Sequence, residues 1–317
     1  MNGSGRLLEL IRDKHILVQP GVYDGFSARL VKSLGYESAI ITGAGMSESR
    51  LGKPDVGIMG LAENLDGTRM LVEASGLLLL ADGDTGYGNA TNVYFAVKRF
   101  ESAGVAGMMI EDQVSPKRCG HMAGKEVISA QEMVGKVRAA VDARNSPNFV
   151  IKARTDAAGP LGLDEAIERA NLYAEAGADL IFADALLTID DIRRFTQSVS
   201  APVTVNMGFG IRKRATTPLL SAAQLQELGV AVVEYPRLLT SAAIVGMKRA
   251  LAALDESLQS GEVVERPELQ VSFEELNDLM GLAEIQSLEE RYLPPAQYAE
   301  KYAARGAQSD ADGVRQQ

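Results

Sequence analysis

Two acidic clusters and the single cysteine of the chain lie within the stretch Ala81–His121. Asp82 and Asp84 follow an apolar run that predicts a buried strand, and Glu111 follows the next run of this kind. Residues 92–103, between the two runs, carry apolar side chains at helical spacing and end before a glycine. The stretch therefore predicts one strand–helix–strand unit with carboxylates at both strand exits.

These carboxylates have the composition of a magnesium site. Asp82 and Asp84 share one face if the backbone stays extended, and Asp55 in a glycine-rich loop and Glu111 add two further acids. Hard oxygen ligands without imidazole or several thiolates suit Mg²⁺, and also Mn²⁺. The alternative for the aspartate pair alone is turn chemistry, because aspartate next to glycine is common in turns.

The cysteine and one arginine are candidates for the chemistry itself. Cys119 lies in a basic loop that ends in His121, so its thiol suits acid–base work, although a lone cysteine is also a common small core residue. Arg154 follows another apolar run and suits the clamping of a carboxylate. The alternative for this arginine is an ion pair with Asp184 or Glu111.

A recurring order of helix, glycine turn and short apolar strand predicts the fold. Eight apolar runs alternate with helical segments across residues 16–235, which favours an α/β protein with a (β/α)8 barrel of the TIM type over residues 1–254. Such a barrel brings the carboxyl ends of its strands to one mouth, where active sites form. Residues 255–305 predict a C-terminal helical extension, and 306–317 predict a disordered tail.

Composition excludes several classes of partner. The 317 residues include 46% hydrophobic side chains and carry a formal net charge of -10, which argues against nucleic acid or an anionic membrane as partner. One cysteine and two histidines argue against a disulfide framework and a Cys/His zinc site. No apolar segment is long enough to span a membrane, so we predict a cytoplasmic protein.

Four motifs resemble those of the isocitrate lyase and phosphoenolpyruvate mutase superfamily, particularly its methylisocitrate lyase and 2,3-dimethylmalate lyase branch. They are Gly83-Asp-Thr-Gly-Tyr-Gly88, Ile110-Glu-Asp-Gln113, Lys117-Arg-Cys-Gly-His121 and Ala153-Arg-Thr-Asp156. The cysteine loop is the motif that separates carbon–carbon lyases of this superfamily from its phosphorus–carbon enzymes. The resemblance implies a (β/α)8 barrel whose last helix is exchanged between the subunits of a homodimer or homotetramer.

The same resemblance implies roles for individual residues. Asp82 is implied as a direct Mg²⁺ ligand, and three acids are implied to hold the metal's waters, namely Asp55, Asp84 and Glu111. Substrate contacts are implied for an anion-binding loop and for later strand exits, namely Thr42, Gly43, Ala44, Gly120, Arg154 and Asn206. Cys119 is implied as the acid that protonates the carbanion left by cleavage, with His121 and Asp184 also in the catalytic set.

Three departures from the methylisocitrate lyase pattern concern specificity. Asp184 stands where those enzymes carry glutamate, and the segment 206–218 is longer and contains Arg212 and Arg214. The arginine expected after Tyr235-Pro236 is missing, and Arg237 stands nearby. A second substrate carboxylate in an acidic mouth needs a cation, so we predict that Arg212, Arg214 and Arg237 recognise it.

Together these observations predict a Mg²⁺-dependent lyase for a small-molecule carboxylate. It would cleave a 2-hydroxy di- or tricarboxylate, of the alkylmalate or methylisocitrate type, to an α-oxo acid such as pyruvate and a second carboxylate. The alternative on the same scaffold is an oxaloacetate hydrolase or decarboxylase, which the C-terminal segment 273–277 also resembles. A catalytically silent barrel used for binding is a third possibility, against which the acids and the Cys119 loop speak.

Overall fold

The computed structural model describes residues 3–120, 122, 124–208 and 217–302. Eight parallel strands form a closed barrel in which each strand pairs with the next along the chain and the last pairs with the first. The strands are β1 (Leu17–Val22), β2 (Ser38–Ile41), β3 (Leu78–Asp82), β4 (Gly107–Glu111), β5 (Val150–Thr155), β6 (Leu180–Ala183), β7 (Val203–Asn206) and β8 (Val232–Tyr235).

Helices alternate with the strands around the barrel. The helices are α1 (Gly3–Ile11), α2 (Gly25–Ser33), α3 (Gly43–Met46), α4 (Leu61–Ser75), α5 (Ala90–Ser102), α6 (Ala130–Ala143), α7 (Ala158–Leu161), α8 (Leu163–Glu175), α9 (Ile189–Ser198), α10 (Ala222–Glu227), α11 (Leu238–Ser260), α12 (Phe273–Met280) and α13 (Leu282–Tyr292). A π-helical turn, Ser47–Leu51, follows α3, and a 3-10 turn, Pro267–Leu269, precedes α12.

The local sequence explains why these elements form. Every residue of β4 and β5 is buried, as expected for parallel strands covered on both faces. Asn89 is the N-cap of α5, and its side chain accepts hydrogen bonds from the backbone N–H groups of Thr91 and Asn92. Its apolar face places Val93 and Phe100 in the core between the helices and the barrel. The interior of the barrel holds a second apolar cluster, to which α1 contributes Leu7, Leu8 and Ile11.

The barrel prediction is confirmed, with one correction of detail. Asp84 has a φ of +48°, so the backbone after Asp82 turns instead of continuing as an extended strand. The two carboxylates therefore come together through a turn and not through strand alternation. Helix α11 continues to Ser260, past the change in composition at Leu254, and its last turns are polar. The exchange of a helix between subunits stays a prediction.

The chain divides into two compact units, Met1–Ala252 and Ala253–Gln317. The first contains the barrel. The described part of the second contains the end of α11, the 3-10 turn, α12 and α13, so the segment predicted as a helical extension contains helices. The predicted disordered tail, 306–317, lies outside the described residues. Within the described part of the chain, none of the helices combines the length and apolar character needed to cross a bilayer.

Candidate active site

A lysine bridges two of the four acids at the barrel mouth. Lys117 Nζ lies 2.5 Å from Asp55 Oδ1 and 2.9 Å from Asp84 Oδ1, and all three side chains are buried. Burial raises the pKa of Asp84 to about 6, although the charge of Lys117 acts in the opposite direction. The first residue of the Lys117-to-His121 motif is therefore a structural partner of the acidic cluster.

Asp82 keeps its carboxylate close to the loop after β2. Asp82 Oδ2 accepts a hydrogen bond from the backbone N–H of Gly43 at 3.2 Å, and Asp82 Oδ1 accepts one from the N–H of Asp84 at 3.0 Å. A Cβ atom at position 43 would lie only 2.4 Å from Asp82 Oδ2, so glycine is required for this approach. Thr42 caps α3 by accepting a hydrogen bond from the N–H of Gly45. The predicted anion loop therefore lies directly against the predicted metal ligand.

Arg154 is ion-paired, as its alternative reading predicted. Its Nε and Nη2 donate to Asp156 at 2.8 Å each, and it lies 3.4 Å from Glu111 and 3.7 Å from Asp184. Within the described ranges no hydrogen bond uses Arg154 Nη1, which leaves both N–H groups of this nitrogen for a ligand. Lys125 Nζ also contacts Asp184 and donates to Asp156 at 2.9 Å. The charge of Arg154 is thus largely balanced before any substrate binds.

Cys119 is buried and contacts Arg237, which in turn contacts Glu48. Arg237 Nη2 lies 3.5 Å from Cys119 Sγ, and Arg237 Nη1 donates to both carboxylate oxygens of Glu48 at 2.6 and 2.5 Å. Burial lowers the pKa of Arg237, but the interactions with Glu48 and Cys119 together raise it by more, so the net shift is upward. Arg237 therefore stays a cation beside the thiol.

A single cavity collects most of the predicted residues. Among the site predictions its walls include Thr42, Ala44, Asp55, Asp82, Cys119, Gly120, Arg154, Asp184, Asn206 and Arg237. A Cβ atom at Gly120 would lie 2.7 Å from Asp184 Oδ1, so glycine lets the cysteine loop pack on the strand exit. Asp84 and Glu111 lie against this group through Lys117 and Arg154. His121, Arg212 and Arg214 fall outside the described residues.

The chemistry of these donors fits Mg²⁺. In the described parts of the chain no three of the histidine, cysteine and acidic side chains converge as a metal cage. Mg²⁺ does not require one, because it commonly keeps several waters and takes only one or two carboxylates. Glu111 Oε1 is buried without a hydrogen-bond partner among the described residues, and burial raises the pKa of this carboxyl. An unpaired buried carboxylate oxygen suits the second coordination shell of a cation.

Sequence reasoning missed two lysine contacts and one ion pair. The roles of Lys117 and Lys125 depend on how the loop folds back, which no local pattern encodes. Lys152 and Glu234 also line the cavity and pair with each other. The available signal was a charged residue directly after an apolar run, Phe149–Ile151 for Lys152 and Ala231–Val233 for Glu234.

The comparisons with known proteins agree with this arrangement. A closed parallel barrel with acids, an arginine and a cysteine at its mouth defines the class of α/β-barrel enzymes. The chain belongs to the phosphoenolpyruvate phosphomutase family, whose model matches residues 7–255. It is 41% identical to 2,3-dimethylmalate lyase of Eubacterium barkeri over 92% of this chain and 99% of that protein. It is 38% identical to 2-methylisocitrate lyase of Aeropyrum pernix over 85% of each chain.

Solved structures give the same family. A crystal structure of 2,3-dimethylmalate lyase, described as a PEP mutase/isocitrate lyase superfamily member, has a TM-score of 0.84 and 30% identity over 93% of this chain and 97% of that one. Oxaloacetate acetylhydrolase with the inhibitor 3,3-difluorooxalacetate has a TM-score of 0.83 and 30% identity, covering 91% and 96%. Phosphonopyruvate hydrolase with oxalate and Mg²⁺ has a TM-score of 0.80 and 28% identity, covering 93% and 100%. The predicted superfamily is confirmed, and the prediction of an oxo-acid lyase agrees with the names of both sequence relatives.

Proposed function

We propose that the protein is a Mg²⁺-dependent carbon–carbon lyase. Its substrate is a 2-hydroxy di- or tricarboxylate, and its products are an α-oxo acid and a second carboxylate. The observation that carries the proposal is that Cys119 lines the same cavity as Asp82 and Arg154. Retro-aldol cleavage of the reverse Claisen type needs a proton donor, a carboxylate anchor and a stabiliser of the developing oxyanion, and these residues supply such groups.

The acids at the mouth are the proposed metal site. Asp82 is the direct ligand, and Asp55, Asp84 and Glu111 hold metal-bound water. When bound, Mg²⁺, or Mn²⁺ in its place, supplies Lewis-acid polarisation of the substrate's C2 oxygen. Support comes from the all-oxygen donor set, from the unpaired Glu111 Oε1, and from a structural neighbour solved with oxalate and Mg²⁺. Substrate carboxylates would contact the Thr42–Ala44 loop, Gly120, Asn206 and Arg154 Nη1.

The proposed step breaks one carbon–carbon bond. The C2 hydroxyl gives its proton to a carboxylate at the mouth, C2 becomes a ketone, and the electron pair of the C2–C3 bond stays on C3. The Cys119 thiol then donates its proton to C3, which completes the second carboxylate product. Proton exchange with solvent restores the thiol and the carboxylate, so no oxidant or further reactant is needed. Arg237 lies beside the thiol and is proposed to bind the distal substrate carboxylate together with Arg212 and Arg214.

An oxaloacetate hydrolase is the second candidate, because two oxaloacetate acetylhydrolase structures have TM-scores of 0.83 and 0.82 with this chain. One assay series separates the two functions. The enzyme is incubated with alkylmalates, methylisocitrate and oxaloacetate, each with Mg²⁺, and the products are identified. An α-oxo acid from a 2-hydroxy acid supports the lyase, whereas oxalate from oxaloacetate supports the hydrolase.

Removal of the metal is the matching test of the cofactor. Excess chelator should abolish turnover, and added Mg²⁺ should restore it. Asp82→Ala should prevent this rescue, since a mouth rich in acids does not bind an anionic substrate without a cation. Asp66→Ala, at an exposed acid paired with Arg50, is the matched control and should be rescued normally. Full turnover in excess chelator would remove magnesium from the proposal.

We also propose a cytoplasmic homodimer or homotetramer as the working form. Apolar residues exposed along α11 support association.

A further inference from the structure

An ion pair lies in the middle of the barrel interior. Lys152 on β5 donates from Nζ to both carboxylate oxygens of Glu234 on β8, at 2.6 Å each. Each residue is 1% exposed. The two positions are separated by 82 residues in sequence, so only barrel closure brings them together.

Stability does not account for this pair. The interior cluster of the barrel is apolar, as is usual inside such barrels, and includes Ile40, Leu80, Met109 and Phe182, although Gln19, a register partner of Glu234, is polar and buried as well. Removing two charges from water costs about as much as their attraction returns, and apolar residues of similar size often stabilise a core at least equally well. A charged pair at this level therefore points to a ligand.

The pair forms part of the wall of the cavity that holds Asp82 and Cys119. An ammonium group has three N–H donors, and the hydrogen bonds of Lys152 within the described ranges go to Glu234 alone. Asn206, the register partner of Glu234, also lines the cavity, and its Oδ1 is buried without a described hydrogen-bond partner. The floor of the cavity thus offers a spare donor and a spare acceptor side by side.

A hydroxyl group matches this floor better than an alkyl group or a carboxylate does. A hydroxyl both accepts and donates a hydrogen bond. An alkyl group would leave Lys152 and Asn206 unsatisfied, and unpaired buried polar groups are costly. A substrate carboxylate would gain little attraction from an ion pair of zero net charge, and the carboxylate of Glu234 would repel it.

The fragment that meets the floor is the oxo-acid half of the substrate. Lys152 and Glu234 line the same cavity as Asp82, Arg154 and Asn206, which are proposed to hold the metal and the α-oxo acid. Cys119, which serves the other fragment, contacts Arg237.

We infer that Lys152 and Glu234, with Asn206, form a specificity site for a hydroxyl group at C3 of the α-oxo acid product and at the corresponding carbon of the substrate. The inference rests on the proposed lyase function and narrows its substrate class. A hydroxylated 2-hydroxy acid is then preferred to its alkyl counterpart.

The test compares two oxo acids of nearly equal size. Hydroxypyruvate and 2-oxobutanoate differ by a hydroxyl in place of a methyl group, and their binding is measured by calorimetry on the full chain with Mg²⁺. We expect hydroxypyruvate to bind at least about tenfold more tightly, because a site built around a hydroxyl rejects the analogue that lacks it. The double variant Lys152→Met/Glu234→Leu should reduce the ratio to within about twofold.

A second, half-buried ion pair gives the control. Arg144→Met breaks the pair with Asp179, which precedes β6 at the opposite end of the barrel, and should leave the ratio unchanged. Equal binding of both oxo acids to the parent protein would overturn the specificity site, as would a preference that persists in the double variant. The comparison of the two oxo acids on the parent protein tests the inference by itself, so the test does not depend on whether the double variant folds. Binding of neither acid would instead contradict the proposed function, and the specificity site with it.

Discussion

Cys119 is the residue on which the lyase proposal depends most. Cys119→Ala should lower kcat for cleavage by about 100-fold or more, because the proton donor is lost. Pyruvate binding in the presence of Mg²⁺ should persist, since Asp82 and Gly43 are unchanged. Steady-state kinetics and calorimetry provide the two readouts. Ser115→Ala, at an exposed position of the same segment, is the control. If turnover of the alanine variant stays within about threefold of the parent, the thiol is only a core residue.

Asp156 is expected to control stability at acid pH. Burial alone would raise the pKa of Asp156, but the charges of Arg154 and Lys125 outweigh it and lower the pKa to about 2. A lowered pKa means that the stabilising contribution is complete above the unfolded-state pKa, about 3.9, and is lost as the pH falls through 2. Asp156→Asn should therefore cost about 3 kcal/mol of unfolding free energy at pH 7, because it leaves buried cations without their partner.

Urea unfolding of parent and variant at pH 7 and pH 3 measures this difference. The cost of Asp156→Asn should be smaller at pH 3 than at pH 7, since part of the contribution of Asp156 is already lost. Asp190→Asn, at an exposed acid paired with Arg193, should change neither value. An equal cost at both pH values would contradict the assigned direction of the pKa shift.

The site residues show where sequence reasoning succeeds at the residue scale. Asp82, Cys119 and Arg154 were predictable because each follows an apolar run or stands out chemically in a loop. Lys117 was visible only as a neighbour of the cysteine, because its partner Asp55 lies 62 positions away in sequence. The pairing of Lys152 with Glu234 was equally hidden, since a strand pattern tells which residues are buried but not which strand lies opposite.

At the scale of elements, alternation predicted more than the boundaries did. All eight strands were predicted, and the apolar run Leu180–Ala183 coincides with β6. The apolar run at the start of β5 ends at Ile151, but the strand continues to Thr155. It continues because Lys152 and Arg154 are charged yet buried, so the apolar run ends before the strand does. Buried charged residues interrupt the apolar pattern from which a strand is predicted, so the predicted strand is too short.

One lysine is expected to hold the cysteine segment on the barrel mouth. Lys125 Nζ donates to the carbonyl oxygen of Gly120 at 3.2 Å and to Asp156 at 2.9 Å, and it contacts Asp184. Burial lowers the pKa of Lys125, but the charges of Asp184 and Asp156 raise it overall, so the ammonium stays charged. Lys125→Met should release the segment and lower kcat/KM by at least about tenfold, because misplaced catalytic groups are costly.

Limited proteolysis supplies a readout of position that is independent of activity. Cleavage between residues 114 and 128 should become faster in Lys125→Met and stay slow in Lys53→Met, an exposed lysine outside this segment. Unchanged proteolysis together with unchanged kcat/KM would contradict the anchoring role of Lys125.

At the scale of the whole molecule, α11 carries a stripe of large apolar side chains that are exposed. Its large apolar side chains are exposed by 49%, 59%, 61%, 54% and 73% at Ile244, Met247, Leu251, Leu254 and Leu258. Their spacing of three and four residues places them on one face of the helix. Contiguous exposed apolar surface of this kind marks a contact with another molecule. A second copy of the chain is the occupant that the resemblance to helix-exchanging oligomers predicts.

This stripe gives the prediction for assembly. The parent protein should elute as a dimer or tetramer in size-exclusion chromatography with light scattering. Leu251→Glu/Leu254→Glu should shift it to a smaller species, because burying two carboxylates in an apolar interface is strongly unfavourable. Lys248→Glu/Arg249→Glu, two exposed positions of the same helix outside the stripe, also introduces two glutamates and should keep the parent mass. Circular dichroism at equal concentration separates dissociation from unfolding. A monomeric parent protein would contradict the predicted oligomer, and a full-size glutamate variant of the stripe would show that this face of α11 is not the interface.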